Sequence, residues 1–210
     1  MAEKTYLIVA NGLWPQTIIW KPLALAASHI IACDGAARQC LEQNLSIDTV
    51  IGDMDSISEE VQGKILQQYT PQFIHQGGQG NNDLVKAIKW SIGQGAERIE
   101  IIGIEGGDLA HHFAAILALC EVPSNTRLHT SKSTIELIAE SGYENDSIEK
   151  STSFSLFSIG AAEGVTITGA KWDLDNEVLQ PGTQGLHNQV EGDCLKIGHS
   201  SGQLLLFLDR

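Results

Sequence analysis

Apolar positions in the first 120 residues fall into short unbroken runs, each closed by a glycine or an acid. Tyr6-Leu7-Ile8-Val9-Ala10 ends at Asn11-Gly12, His29 to Cys33 at Asp34-Gly35, and Thr49-Val50-Ile51 at Gly52-Asp53. Arg98 to Ile104 likewise ends at Glu105-Gly106-Gly107-Asp108. Runs this short, without polar alternation, predict strands buried on both faces. Helical patterning separates them, over Trp20 to Ala27, Ala36 to Asn44, Val61 to Tyr69 and His111 to Leu119. Gln72 to His75 reads as one more short strand, and Asn82 or Asp83 caps a helix through Trp90 with Leu84, Ala87, Ile88 and Ser91 on one face. This alternation predicts an α/β N-terminal domain, residues 1–124, with a mainly parallel sheet covered by helices.

Beyond Pro123 the pattern changes. Ser153-Phe154-Ser155-Leu156-Phe157, Val165-Thr166-Ile167-Thr168 and Leu195-Lys196-Ile197 are β-branched and aromatic runs punctuated by Gly, Asn and Asp, and Gln203 to Leu208 closes the chain. Residues 125–210 are therefore expected to form a smaller all-β sandwich or barrel domain.

The 210 residues are 42% hydrophobic, enough for a sizeable core, and carry a formal charge of −13. That charge argues against nucleic acid or an anionic membrane as partner, because both require clustered Lys and Arg. No run approaches the roughly 20 apolar residues of a membrane span. The stretch after Met1-Ala2-Glu3-Lys4-Thr5 is too short and wrongly flanked for a signal peptide, so a cytoplasmic location is expected. Cys33, Cys40, Cys120 and Cys194 match neither a CxxC pair nor a disulfide framework and read as reduced.

Every polar cluster follows a predicted strand, where parallel α/β sheets gather their ligands. Asp53 and Asp55 are the sharpest pair: in an extended loop, alternate carboxylates point to one side and reach one cation, and Mg²⁺ favours a sparse oxygen site completed by phosphates. A turn-capping role for the same residues is the competing reading. The stretch Gly77-Gly78-Gln79-Gly80-Asn81-Asn82 can wrap a phosphate with backbone N–H groups or serve as a plain connection. It lacks the lysine and hydroxyl of a Walker loop, and the chain has no GxSxG elbow or HExxH pair. His111 and His112 point about 100° apart on a helix and cannot both face one ligand.

Taken in order, these loops resemble thiamin pyrophosphokinases across essentially the whole chain. The family's DGGAN-like, GDFDS, DxDxTD-like and GGRxDH loops have counterparts here in Asp34-Gly35-Ala36-Ala37-Arg38, Gly52-Asp53-Met54-Asp55-Ser56, Gly78 to Asp83 and Gly106-Gly107-Asp108-Leu109-Ala110-His111. Gly169-Ala170-Lys171-Trp172-Asp173-Leu174 and His187-Asn188 are similar to its GLKWxL and Ser-Asn segments. The resemblance implies transfer of diphosphate from ATP to thiamin, with release of AMP, in a homodimer whose sites lie between subunits. It further implies Mg²⁺ on Asp53, Asp55 and Asp83 as the catalytic acids, and nucleotide contacts from Asp34, Gly35, Ser56, Asn82, Gly106, Gly107 and His111. Thiamin contacts would come from Trp172, His187 and Asn188, although a tryptophan in a β domain is more often packed than exposed. Gly78, Gly80, Asn81 and Asn82 stand where the family has two acids, a lysine and a threonine, and Asp108 and Ala110 where it has arginine and aspartate. A diphosphotransferase with another acceptor and a non-catalytic nucleotide- or thiamin-binding homodimer are the alternatives these departures leave open.

Overall fold

The computed structural model describes residues 3–76 and 82–210, which divide into two compact units, 1–131 and 132–210. In the first unit, strands β1 (Thr5–Val9), β2 (His29–Cys33), β3 (Thr49–Gly52), β4 (Gln72–His75), β5 (Arg98–Ile102) and β6 (Thr126–His129) are all parallel, in the order β6-β5-β1-β2-β3-β4. Helices α1 (Thr17–Ala26), α2 (Ala37–Glu42), α3 (Glu59–Gln68), α4 (Asp83–Gly93) and α5 (Leu109–Glu121) connect them, with a 3-10 turn at Asp34–Ala36 leading into α2.

The strand sequences explain the layering. Leu7, Val9, Ile30, Ala32 and Val50 pack with Trp20 of α1, Cys40 of α2 and Ile65 of α3. The alternate residues Ile8, Ile31 and Ile51 are equally buried and belong to the other face, where α4 packs across β1, β2 and β3 and against α5. Two-sided burial is why these strands carry no polar alternation. The boundary between units falls at Ser131 rather than after residue 124 because β6 pairs parallel to β5, Ile101 opposite Leu128.

The second unit consists of strands alone among its described elements: β7 (Ser133–Leu137), β8 (Tyr143–Asn145), β9 (Ser153–Ser158), β10 (Ala162–Thr168), β11 (Leu174–Leu179), β12 (Asn188–Gln189), β13 (Leu195–Gly198) and β14 (Leu204–Asp209). β7, β14, β9 and β12 pair antiparallel in that order, as do β8, β13, β10 and β11. The two layers share a core of Phe154, Leu156, Val165, Ile167, Leu195, Ile197, Leu204 and Leu206, giving the expected β sandwich.

Candidate active site

The carboxyl ends of β2 and β3 lie side by side, and this adjacency builds the site. Asp34, the first residue after β2, is buried; its Oδ1 accepts the Gly35 N–H at 2.6 Å and its Oδ2 the Met54 N–H at 3.1 Å. The carboxyl packs directly on Gly52, the last residue of β3. Asp53 and Asp55 follow, and Met54 between them adopts left-handed backbone with φ 66°. The two carboxylates therefore converge through a tight turn, and not through the extended alternation expected from their spacing. The turn is closed by the Asp55 N–H donating to Asp53 Oδ1 at 3.3 Å and the Ser56 hydroxyl donating to Asp55 Oδ1 at 3.1 Å.

Oxygens of Asp34, Asp53 and Asp55 all lie within 4.8 Å of one another. Burial pushes the Asp34 carboxyl above the ordinary aspartate range; the Gly35 N–H opposes this, and the nearby Asp83 and Asp53 reinforce it. Hydrogen bonds from Asp55 hold Asp53 below that range, helped by Asp34 and by the charge of Lys86. Burial thus favours the protonated form of Asp34, and a cation among the three oxygens would favour its ionised form. An all-oxygen, acidic set of this kind fits a hard divalent ion such as Mg²⁺.

The remaining predicted residues are distributed around this cluster. Asp83 pairs with Lys86, Oδ1 to Nζ 2.9 Å, and is absent from the three-carboxylate group, although its charge reaches Asp34. Lys86, its side chain only 12% exposed, was not anticipated; its place three residues after Asp83 on a helix was the available signal. Asn82 caps α4, its Oδ1 accepting from the Val85 N–H at 2.9 Å. Gly77 to Asn81, including Gly78, Gly80 and Asn81, lie outside the described residues.

In the loop after β5, Gly106 and Gly107 both adopt left-handed backbone, while Glu105 accepts the Ser131 N–H and hydroxyl at 2.6 and 2.8 Å. Asp108 caps α5 by accepting from the Ala110 N–H at 2.9 Å, and its other oxygen lies 3.5 Å from His111 Nδ1. An aspartate at this position thus starts the helix, a task an arginine cannot perform.

Within the sandwich, Trp172 is 55% exposed and not packed in the core, with Lys171 Nζ 4.6 Å from its ring centroid. Asn188 is buried and ties the Trp172 backbone at both ends, accepting from its N–H at 3.1 Å and donating to its carbonyl at 2.8 Å. Both residues line a cavity of about 380 Å³ with Phe154, Ile167 and Leu186. His187 has left-handed backbone, φ 59°, and its N–H donates to Ser155 Oγ at 3.1 Å.

A parallel α/β unit with converged carboxylates at its ligand-binding edge, continued by an antiparallel sandwich with its own cavity, defines the class. Residues 20–130 match the thiamin pyrophosphokinase catalytic domain, and residues 143–204 its vitamin B1 binding domain. The chain belongs to the thiamin pyrophosphokinase family. It is 29% identical over 180 residues to the thiamine pyrophosphokinase of Bacillus subtilis, spanning 82% of this chain and 83% of that one. The fold is shared with the crystal structure of a thiamine pyrophosphokinase from Bacillus subtilis, with a TM-score of 0.84, 23% identity, and 98% of this chain and 99% of that chain covered. It is shared also with yeast thiamin pyrophosphokinase, with a TM-score of 0.80, 18% identity, and 100% and 87% covered.

Proposed function

We propose that the protein is a thiamin pyrophosphokinase, transferring a diphosphoryl group from ATP to thiamin to give thiamin diphosphate and AMP. The convergence of Asp34, Asp53 and Asp55, in a chain belonging to this family, carries the reading. These three residues would hold Mg²⁺, with Asp83 close by. The bound ion would supply charge neutralisation for the phosphate chain. Asp34, pinned by two backbone N–H groups, fixes the position of the cluster, and a bound cation would favour its ionised form against the burial that opposes it. Lys86 holds Asp83 and lends positive charge beside Asp53.

In the reaction, the hydroxyethyl oxygen of thiamin attacks the β-phosphorus of ATP. The bond from that phosphorus to the oxygen bridging the α- and β-phosphates breaks, AMP leaves with the bridging oxygen, and the hydroxyl proton is released. The chain's task is to hold donor and acceptor in line, since such transfers depend on positioning and electrostatics. Gly35, Ser56, Asn82, Gly106, Gly107 and His111 belong to the phosphate-facing loops of this reading. Trp172 offers an exposed aromatic face to the cationic vitamin, with Asn188 fixing it and His187 beside it. The working form is a homodimer in the cytoplasm; the four free cysteines suit a reducing compartment, and no helix among the described residues is long and apolar enough to cross a membrane.

AMP formation from MgATP, followed with and without thiamin, tests the assignment. AMP release that requires thiamin is expected. Release independent of thiamin, or none at high enzyme concentration, would overturn it.

A further inference from the structure

Diphosphoryl transfer releases the hydroxyl proton of the acceptor, and few groups at the carboxyl edge of the sheet are free to take it. Asp34, Asp53 and Asp55 are committed to the cation in the reading above, Asp83 is held by Lys86 at 2.9 Å, and Glu105 accepts two hydrogen bonds from Ser131. Most histidines of the first unit are placed for other tasks. His29 starts β2, at the amino ends of the strands, and bonds Thr49, while His129 is buried against Glu100. No carboxylate pairs with His75 or His112 among the described residues. His111 has such a partner, its Nδ1 lying 3.5 Å from Asp108 Oδ2.

The pair is fixed by its surroundings. Asp108 is the N-cap of α5, and with Oδ1 accepting the Ala110 N–H, Oδ2 is left to meet His111 one turn into the helix. The loop before it is anchored as well, the Glu105 carbonyl accepting the Leu13 N–H at 2.6 Å and its carboxylate bound by Ser131. A ring whose Nδ1–H faces a carboxylate presents Nε2 as an acceptor, the arrangement in which a histidine takes a proton. The His111 side chain is 86% exposed, so that nitrogen is open to a substrate. On α4, the helix packed against α5, Asp83 and Lys86 pair with each other and Lys89 pairs with Glu121, so the carboxylate that answers His111 is Asp108. Asp108 stands where the family has arginine, and this departure is what builds the pair. Parallel strands about 4.8 Å apart place the end of β5 about 10 Å from that of β2 and about 14 Å from that of β3, on one edge. A gap of this size leaves the transferred group between the carboxylates and the imidazole.

We infer that Asp108 and His111 form the dyad that removes the acceptor's hydroxyl proton, with His111 as general base and Asp108 as its positioning residue. The hydroxyl O–H bond breaks toward His111 Nε2 as the oxygen bonds the β-phosphorus, and the electron pair of the broken P–O bond leaves with AMP. The imidazolium so formed is stabilised by the Asp108 carboxylate and returns its proton to solvent. The inference rests on the diphosphoryl-transfer reading above and names where the released proton goes.

Steady-state AMP formation at saturating MgATP and thiamin, followed between about pH 5 and 8 where imidazole changes charge, is the test. Wild-type kcat should fall on the acid side as the base is protonated. His111→Gln should lower kcat at the alkaline end about 100-fold or more and abolish that fall, with both KM values little changed. Asp108→Asn keeps the helix cap and should lower kcat about tenfold at unchanged KM values and melting temperature. His112→Gln should retain the wild-type rate and profile. In nitrogen NMR of the resting protein, His111 should carry its proton on Nδ1 and lose that preference in Asp108→Asn. The inference is overturned by a His111→Gln enzyme that keeps the wild-type kcat or its acid fall, by loss of that fall in His112→Gln instead, or by one His111 tautomer in wild type and Asp108→Asn alike. Thiamin-dependent turnover with the wild-type profile in His111→Gln sinks the dyad alone, whereas no thiamin-dependent AMP from wild type sinks the diphosphoryl-transfer reading and the dyad's role with it.

Discussion

Gly52 closes β3 directly beneath the Asp34 carboxyl, and a single methyl group there tests how the acidic cluster is held. A Cβ at this position would lie 2.6 Å from Asp34 Cγ, 2.8 Å from its Cβ and 2.9 Å from Oδ2, against an ordinary carbon contact of about 3.5–4.0 Å. The Gly52 backbone is itself tied, its carbonyl accepting the Gln76 N–H at 2.9 Å, so the Asp34 side chain is what must move. A shift of about 1 Å pulls Oδ2, the carboxylate oxygen that the new methyl group meets, from the Met54 N–H group. Overpacking costs about 1–3 kcal/mol and one weakened bond to a charged acceptor about 1.5–3 kcal/mol. Relief of the buried charge offsets part of this, so Gly52→Ala is expected to cost about 2–4 kcal/mol. Urea denaturation measures the cost, and titration with Mg²⁺ and an ATP analogue on the same protein should show weakened binding. Because Gly52→Ala and Asp34→Ala both remove one carboxylate from one place, the double variant should cost about 1 kcal/mol less than the sum of the singles. A Gly52→Ala protein with the wild-type urea midpoint and wild-type metal binding would refute this reasoning, as would strict additivity.

Glu100 on β5 is buried against His129 of β6, Oε2 to Nε2 2.5 Å, with Arg98 on its other oxygen. Burial opposes its ionisation, but His129 and Arg98 outweigh that penalty and hold the carboxyl below the ordinary glutamate range. Its stabilisation is therefore present above about pH 4.5 and is lost as pH falls through the lower folded value. Glu100→Gln should cost about 3–5 kcal/mol at neutral pH by chemical denaturation and lose less stability on acidification; an unchanged acid profile would count against the pair. In the sandwich, Lys171 Nζ lies 4.6 Å from the centroid of the Trp172 ring, on the face proposed for the cationic acceptor. Trp172→Ala should raise the KM for thiamin by about 0.5–2 kcal/mol equivalent and Lys171→Gln should lower it, whereas no change in either places the acceptor elsewhere.

The central strands were legible because two-sided burial writes itself as an unbroken apolar run, as in Leu7 to Val9 and Ile30 to Cys33. β6, with Arg127 and His129 inside a four-residue strand, carries no such run, and the expected domain boundary was placed before it. β11 was also missed: Asp175 to Val178 are exposed, so the strand shows neither alternation nor an apolar run. Helix starts were set by side chains that could have been weighed as caps, Asp108 bringing α5 forward to Leu109. At the site, Asp53 and Asp55 were visible as a pair, but the third carboxylate near them, Asp34, arrives from another strand. Its membership depends on β2 lying beside β3, a pairing that no local spacing encodes. The left-handed Met54 was equally hidden, since nothing in a methionine announces positive φ.

Electron paramagnetic resonance of Mn²⁺, titrated into the protein with a nonhydrolysable ATP analogue, probes the acidic cluster most directly. One ion per chain is expected to bind more tightly than to the analogue alone. Asp53→Asn and Asp55→Asn should each weaken it about tenfold or more while leaving the melting temperature in place, as suits solvent-facing ligands. Equal ion affinity in wild type and both variants would contradict a metal-holding role for the turn after β3.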